Sequence, residues 1–134
     1  MKLITIFLAT MLCIAPTGNA ESSYTLAEEQ QTDGFEVTIT KDEKSQGVRH
    51  VSAKTCSKVC SKEINLDIRV KDRVILKAEI VKGCPGNATG LCALLEGMTV
   101  EEAVKRLDGI DCGGRGTSCT DQLSRVLKKC YGIK

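Results

Sequence analysis

The stretch Ile64-Asn-Leu-Asp-Ile-Arg-Val-Lys-Asp-Arg-Val-Ile-Leu-Lys-Ala-Glu-Ile80 decides the fold, because apolar and polar residues alternate along both of its halves. Such alternation is typical of strands with one buried and one solvated face. Lys71 and Asp72 predict a two-residue turn between the halves, so this stretch forms an antiparallel hairpin. Residues 48–53 are the predicted third strand. The residues predicted to face the core are Ile64, Leu66, Ile68, Val70, Val74, Leu76, Ala78 and Ile80.

Helices are predicted to cover the hydrophobic face of this sheet. The first contains four apolar residues at helical spacing and ends near Gly97. Thr99-Val-Glu-Glu102 predicts a capping box, in which Thr99 accepts a hydrogen bond from a free amide and Glu102 reaches back, and this second helix stops at Asp108. The apolar residues of the first helix are Leu91, Leu94, Leu95 and Met98.

A third helix is predicted to start at Ser118-Cys-Thr-Asp121 in the same way. Leu123, Val126 and Leu127 then face inward. The sequence therefore predicts the α+β class: a small antiparallel sheet of about three strands, followed by about three helices packed on one face.

Composition limits the function classes. The chain has 134 residues, which is enough for one domain, and its formal net charge is only +2. Aromatic residues make up 3% of the chain, so there is no platform on which bases could stack. Because the basic residues are also interspersed with acidic ones, we expect no binding to nucleic acid.

The N-terminal sequence resembles a secretory signal peptide. Lys2 precedes an apolar run over residues 3–16, and Gly18-Asn-Ala20 offers a cleavage site of small residues. We therefore expect residues 1–20 to be a signal peptide, residues 21–47 to be a flexible polar leader, and the ordered domain to occupy residues 48–134. Within the leader, only residues 35–40 alternate as an edge strand would. This interpretation implies a secreted or periplasmic protein without a stable membrane span after cleavage.

Eight cysteines are the one compositional excess. Two of them flank a glycine-rich loop, Cys112-Gly-Gly-Arg-Gly-Thr-Ser-Cys119, and another lies in the turn Gly83-Cys-Pro-Gly-Asn87. Glycine allows the backbone to approach a bound ion closely. Cleavage after Ala20 would remove Cys13 and leave seven cysteines, an odd number, so at least one thiol would stay unpaired or bind something else.

Four segments carry a family resemblance. These segments are Cys60-Ser-Lys-Glu-Ile64, Gly83-Cys-Pro-Gly-Asn87, Leu95-Glu-Gly-Met98 and Ile110-Asp-Cys-Gly-Gly-Arg-Gly-Thr-Ser-Cys-Thr-Asp-Gln-Leu123. Together they resemble the TSCPD-domain family, and they occur in the family's order over residues 48–130. Thr120 replaces the proline after which the family's Thr-Ser-Cys-Pro-Asp run is named. Proline at a first helical turn is dispensable, so the helix start should be intact.

The resemblance implies a function. The family's recurrent cysteines fall on Cys60, Cys84, Cys112 and Cys119. The domain also forms the C-terminus of adenosylcobalamin-dependent ribonucleotide reductases, and small stand-alone members are grouped with ribonucleoside-diphosphate reductase. This implies a cytoplasmic location and a reductase or thiol-redox protein as partner. More loosely, the layout is similar to iron–sulfur scaffold proteins of the U type. A chain this short lacks a radical generator and a nucleotide pocket, so we expect an accessory role without catalysis by the chain alone.

Three states of these four cysteines stay open. Four thiolates are suitable ligands for zinc or for an iron–sulfur cluster. An exported protein would instead pair them as disulfides and act as a binding protein. The third possibility is a redox dithiol, for which Cys119 at a helix N-terminus near Arg115 is the candidate. The remaining cysteines are weaker candidates: Cys92 is predicted to be a core residue, Cys130 to be free, and Cys56 to substitute for Cys60 or pair locally.

Overall fold

The structure, a computed structural model, describes residues 34–134. Strands β1–β4 precede helices α1–α3, so the α+β class is confirmed. The predicted signal peptide, residues 1–20, and the first part of the predicted leader, residues 21–33, lie outside the described residues. No helix between residues 34 and 134 is long and apolar enough to cross a membrane. The elements are β1 Thr38–Ser45, β2 Val48–Lys54, β3 Glu63–Arg69, β4 Ile75–Val81, α1 Pro85–Leu95, α2 Val100–Leu107 and α3 Cys119–Tyr131.

The four strands form one antiparallel sheet in the order β1-β2-β3-β4. Its inner face and the helices bury a core of aliphatic side chains, as the scarcity of aromatic residues predicts. The fully buried members include Ala53, Ile64, Ile68, Ile75, Val100, Ala103, Leu123, Val126 and Leu127.

The sheet has one strand more than predicted. Strand β1 lies within the segment predicted to be a flexible leader, and it pairs with β2 along its whole length. The sequence pattern does not indicate a strand at Lys41-Asp-Glu-Lys44, because these residues do not alternate between apolar and polar. Charged side chains on an edge strand discourage pairing with other chains, and nearly all of β1 is exposed. The ordered domain therefore begins before residue 48.

The hairpin of β3 and β4 is confirmed, but its predicted turn and its predicted pattern of burial are partly wrong. The Arg69 amide donates to the Val74 carbonyl, so the turn spans residues 70–73 rather than Lys71 and Asp72 alone. Asp67 pairs with Lys77 whereas Ile68 pairs with Ile75, so Leu76 is an extra residue in β4. Such a bulge reverses the side-chain alternation on one side of it. Ile75 is consequently buried, while Leu76 and Val70, both predicted to face the core, are 40% and 41% exposed.

The predicted hydrogen bonds from backbone amides to the capping side chains of α2 and α3 are confirmed. The Thr99 hydroxyl accepts a hydrogen bond from the Glu102 amide at 3.3 Å, and the Ser118 hydroxyl accepts one from the Asp121 amide at 3.1 Å. The predicted return bond from Glu102 is wrong, because its carboxylate accepts instead from Arg106 Nε at 2.6 Å.

Helix α1 differs from the prediction in its length and burial. It ends at Leu95, which is buried, whereas Leu94 is 74% exposed. The helix carries no charged residue and packs on β4. It starts directly after Cys84, with Pro85 in the first turn, where the missing amide leaves no hydrogen bond unmade.

Candidate thiol site

Two cysteine loops meet at one end of the sheet, which we call the thiol end. Lys54, Glu63 and Val81 lie side by side at this end of β2, β3 and β4. The loop over residues 55–62, which contains Cys60, therefore neighbours the turn that follows β4. The two segments touch, since a β-carbon on Gly83 would lie 3.8 Å from the Ser61 nitrogen. Cys60 and Cys84 thus flank one backbone contact.

The glycine-rich loop between α2 and α3 reaches the same end. Arg115 Nη1 donates a hydrogen bond to Cys60 Sγ at 3.5 Å, and the Cys112 amide donates to the Thr117 carbonyl at 3.2 Å. Cys119 follows as the first residue of α3. The structure therefore brings the segments that carry all four predicted site cysteines to one end of the sheet.

Gln122 connects these segments from inside the protein. It is completely buried, and its Oε1 accepts from the Cys56 amide at 3.0 Å. Its Nε2 donates to the Phe35 carbonyl at 2.6 Å and to the Thr117 hydroxyl at 3.1 Å. One amide side chain therefore fixes the loop before Cys60, the loop before Cys119 and the segment that leads into β1. Buried polar networks of this kind define a single arrangement of the chain.

Phe35 packs over the glycine-rich loop. A β-carbon on Gly116 would lie 3.1 Å from the Phe35 ring, tighter than most real contacts, and the φ angle of Gly116 is 77°, so any other residue would strain the backbone and displace the ring. The Lys58 amine lies 3.7 Å from the centre of the same ring, which is a cation–π contact. Sequence analysis missed both Phe35 and Gln122. A polar residue on the inward face of α3 was the available signal for Gln122.

The backbone amides of the glycine-rich loop already have an anionic partner. Asp111 accepts hydrogen bonds from the amides of Gly114 and Gly116, both at 2.6 Å. Phosphate-binding loops present such amides to a ligand, whereas here the protein's own carboxylate engages them. The loop is therefore built to hold its own shape.

Asp121 lies in the first turn of α3 and is buried. Its side chain is 2% exposed and accepts from the Thr117 hydroxyl at 2.6 Å, the Gly109 amide at 2.9 Å and Arg125 Nε at 2.8 Å. Burial alone would raise its pKa, but these donors outweigh it and hold the pKa below the ordinary value. The carboxylate thus stays ionised and anchors the start of α3.

Arg115 lies among the thiols. Cys60, Cys84 and Cys112 are exposed and Cys119 is partly buried. The pKa of Arg115 is raised, first by its hydrogen bond to Cys60 and also by the nearness of Cys112 and Cys119. Arg115 thus bonds one predicted site cysteine directly and is influenced electrostatically by two others.

Comparison with known families identifies the domain. The TSCPD domain profile matches residues 35–131. The chain belongs to the TSCPD domain family. The match begins with Phe35 and thus includes β1, and the TSCPD domain is known from proteins related to ribonucleotide reductase. No curated protein and no solved structure matches the chain.

Of the other cysteines in the described residues, Cys56 shares the loop of Cys60, whereas Cys92 lies in α1 and Cys130 near the end of α3. All seven cysteines between residues 34 and 134 are free. Burial raises the pKa of Cys92, and it raises the pKa of Cys130 to about 11 against the opposing charge of Arg49. Both thiols therefore stay neutral and pack against the core, as predicted for Cys92.

The donor set of the TSCPD domain suits a thiolate-bound metal, although its side chains do not converge in the described structure. Among residues 34–134, no three His, Cys, Asp or Glu side chains are grouped so as to hold a metal ion. Four cysteines are nevertheless the ligands that zinc and iron–sulfur clusters take. The buried Ser61 hydroxyl, which has no hydrogen-bond partner within the described residues, lies beside this cysteine set.

Proposed function

We propose that this TSCPD domain is an accessory module that holds one zinc ion or one iron–sulfur cluster on Cys60, Cys84, Cys112 and Cys119. The observation that carries the proposal is the meeting of three cysteine-bearing segments at the thiol end, where Arg115 donates to Cys60. Four thiolates are a complete ligand set for a structural metal site.

Charge supports this assignment. Zinc with four thiolates carries a net charge of about −2. Arg115 is placed to offset part of that charge and to donate to a ligand sulfur, as residues around metal ligands commonly do. Its exposed position also leaves it able to follow a change in the loop.

The thiol end retains freedom to close. Cys60, Cys84 and Cys112 are exposed, so their side chains are not held by packing. The Asp111 carboxylate holds the amides of Gly114 and Gly116, so a metal would be reached by rotation of the exposed cysteine side chains rather than by a shift of this loop. Gln122 and Asp121 fix the loop at its far end. A metal would then order only the exposed part of the site.

The proposed role is in ribonucleotide reduction, as a partner of a reductase or of a thiol-redox protein. It rests on membership of the TSCPD family, and the domain alone has no catalytic assignment. The alternative is an exported, disulfide-stabilised binding protein, which the signal-like sequence of residues 1–20 favours.

Metal analysis tests the proposal. Native, anaerobic purification followed by elemental analysis should find about one zinc, or iron and sulfide of one cluster, per chain. Cys84→Ser and Cys112→Ser should lose the metal because each removes a ligand. The control, Cys130→Ser, should retain it because Cys130 lies at the other end of α3.

The same sample distinguishes the alternative. Absence of metal in the unmodified protein, together with about three disulfides and an N-terminus at Glu21, would contradict the metal module and favour the exported binding protein.

A further inference from the structure

A groove of about 560 Å³ lies between strand β4 and helix α1. The helix lines one side of it with residues three or four positions apart, which therefore share one face. The helix carries no charge, and the Thr89 hydroxyl is used within it, since it donates to the Pro85 carbonyl at 2.8 Å. This wall therefore consists of small side chains without a charge or a free hydroxyl. Its members are Pro85, Ala88, Thr89, Cys92 and Ala93.

The other wall of the groove is the free edge of the sheet. Within residues 34–134, Ile75 alone in β4 has a backbone partner on the side away from β3, because its amide donates to the Met98 carbonyl at 2.9 Å. The Ile80 amide points the same way and meets the thiol of Cys92, a weak acceptor. Backbone groups alternate in direction along a strand, so Ala78 also presents its amide and carbonyl to the groove. This part of the edge is open to an added strand.

The two ends of the groove carry opposite charges. Lys82 lines the end beside the thiol end, Glu96 lines the other, and neither forms an ion pair within the described residues. Glu79 adds a second carboxylate, which acts together with Glu96 on the thiol of Cys92. Such a distribution favours an occupant with the reverse order of charges and fixes its direction in the groove.

We propose that this groove binds an extended segment of a partner protein, which joins β4 as a fifth, antiparallel strand. The 11 residues of α1 span about 16 Å, the length of about five residues of a strand. Every second side chain of the segment faces α1 and is apolar, because the α1 wall offers no polar partner. An acidic residue at its N-terminal end meets Lys82, and a basic residue at its C-terminal end meets Glu96.

A strand without a helix of its own fits this groove better than a second copy of the chain does. In a second copy, β4 is covered by its own α1. Joined edges would lie about 4.8 Å apart, whereas packed helices need about 8–10 Å. The other edge strand, β1, carries Lys41-Asp-Glu-Lys44, and such charges hinder pairing with another chain. The groove ends beside Cys84, so the bound segment holds its protein next to the thiol end, and this requires no metal.

Selection from random peptides supplies the probe. The full chain, kept reduced and free of metal with a chelator, is panned against short random peptides displayed on phage. We expect the recovered sequences to share an acidic residue, alternating apolar residues and a basic residue, in that order. The strongest binder is then synthesised with a fluorescent label, and its dissociation constant is measured by anisotropy. Recovery of no binder, or of binders without this order, would overturn the proposal.

Filling the groove should abolish binding of the labelled peptide. Ala88→Leu places a large side chain in the α1 wall, whereas Asn87→Leu adds the same side chain to an exposed position of α1 outside the groove. We expect binding to be lost in the first variant and retained in the second, with thermal unfolding showing that both fold. Equal affinities in the two variants would place the peptide elsewhere.

Charge reversal tests the direction of the segment. Lys82→Glu should weaken binding by about ten-fold, and a peptide whose acidic residue is replaced by lysine should restore it. A Lys82 that only supports the fold would give no such rescue, and its absence would contradict the antiparallel arrangement.

Backbone pairing is tested in the peptide itself. Alternate amides of an added strand face β4, so methylation of one such nitrogen should abolish binding, and methylation of the next should leave it. Equal effects of the two methylations would rule out addition to the sheet. Sedimentation of the unlabelled chain tests the other occupant: a dimer that Ala88→Leu dissociates would replace the partner segment with a second copy.

Discussion

The two ends of helix α3 carry the same residue type in opposite surroundings. At its N-terminus, Cys119 is partly buried and follows the loop whose Arg115 donates a hydrogen bond to the exposed Cys60. At its C-terminus, Cys130 packs against the core, and burial raises its pKa to about 11. Cys130 also has a cation nearby, Arg49, and burial still outweighs it. The comparison teaches that exposure decides whether a thiol is available for chemistry, whereas burial makes it a small hydrophobic side chain.

The two ends of the sheet are also held together differently. At the opposite end, charged pairs on the surface dominate, and Arg49 both pairs with Asp42 at 2.6 Å and lies 4.6 Å from the Tyr131 ring centre. At the thiol end, the contacts that fix the loops are buried hydrogen bonds of Gln122 and Asp121. The Arg49 side chain is only 13% exposed and bonds Asp42 through two nitrogens, so we expect substitutions to lower stability at both ends, through an ion pair at one and buried hydrogen bonds at the other.

Alkylation of the metal-free protein should give the largest contrast. At pH 8 only about one Cys130 side chain in a thousand is ionised, given its pKa of about 11. Cys60, Cys84 and Cys112 are exposed, and we expect iodoacetamide to label them at least ~100-fold faster. Mass spectrometry of peptides from a time course measures this. Equal labelling rates would mean that the two ends of α3 do not differ as described.

Gln122→Leu should produce the largest loss of stability. It removes the hydrogen bonds of the Gln122 side chain with the Cys56 amide and the Phe35 carbonyl, at a total cost of about 2–4 kcal/mol. The unfolding temperature of Gln122→Leu should fall by about 10 °C or more. Ser124→Ala, which removes one hydrogen bond from the same helix, should cost about 1 kcal/mol. If both variants lose the same stability, Gln122 does not tie the loops together.

Gly116→Ala tests the contact between the glycine-rich loop and Phe35. Gly116 and Gly113 have similar positive φ angles, 77° and 65°, so alanine strains the backbone at both. Only at Gly116 would the new β-carbon meet a ring, at 3.1 Å. We expect Gly116→Ala to cost about 1 kcal/mol more than Gly113→Ala in denaturant unfolding. Identical costs would argue against close packing of Phe35.

Ionisation of Cys130 at high pH should give the smallest of these changes in unfolding free energy. Its folded pKa of about 11 lies above the ordinary value of 9.0, so the fold favours the neutral thiol. The unfolding free energy should be unaffected by this group below pH 9 and should fall as pH rises toward 11. The Cys130→Ala variant has no thiol to titrate and so does not lose this stability. The difference in unfolding free energy between the unmodified protein and this variant should therefore shrink by on the order of 1 kcal/mol as pH rises to 11, allowing for partial exposure of the thiol. A constant gap from pH 8 to pH 11 would contradict it.

The fold was predictable where side-chain pattern and backbone agree. The hairpin of β3 and β4 and the caps at Thr99 and Ser118 follow local rules, and all are confirmed. Strand β1 was predictable only where it overlaps residues 35–40, which alternate as an edge strand would. Its charged second half carries no apolar pattern and is held by backbone pairing with β2. The bulge at Leu76 depends on register between two strands, which neither strand specifies alone.

The site was predictable only as a set of cysteines. The family resemblance selected Cys60, Cys84, Cys112 and Cys119, and the structure brings their segments to one end of the sheet. The family resemblance could not reveal Gln122 or Ser61, because buried polar contacts join residues far apart in sequence, such as Phe35 and Gln122. The metal itself stays a prediction.

The placement of Phe35 determines how the domain would be joined to something else. Phe35 is bonded at the thiol end, whereas α3, with 13 residues, carries the chain about 20 Å away before Lys134. A fusion partner or dye attached after Lys134 would therefore be tethered far from the cysteines. One attached just ahead of Phe35 would sit beside them. A label that must leave the cysteines accessible therefore belongs at the C-terminus.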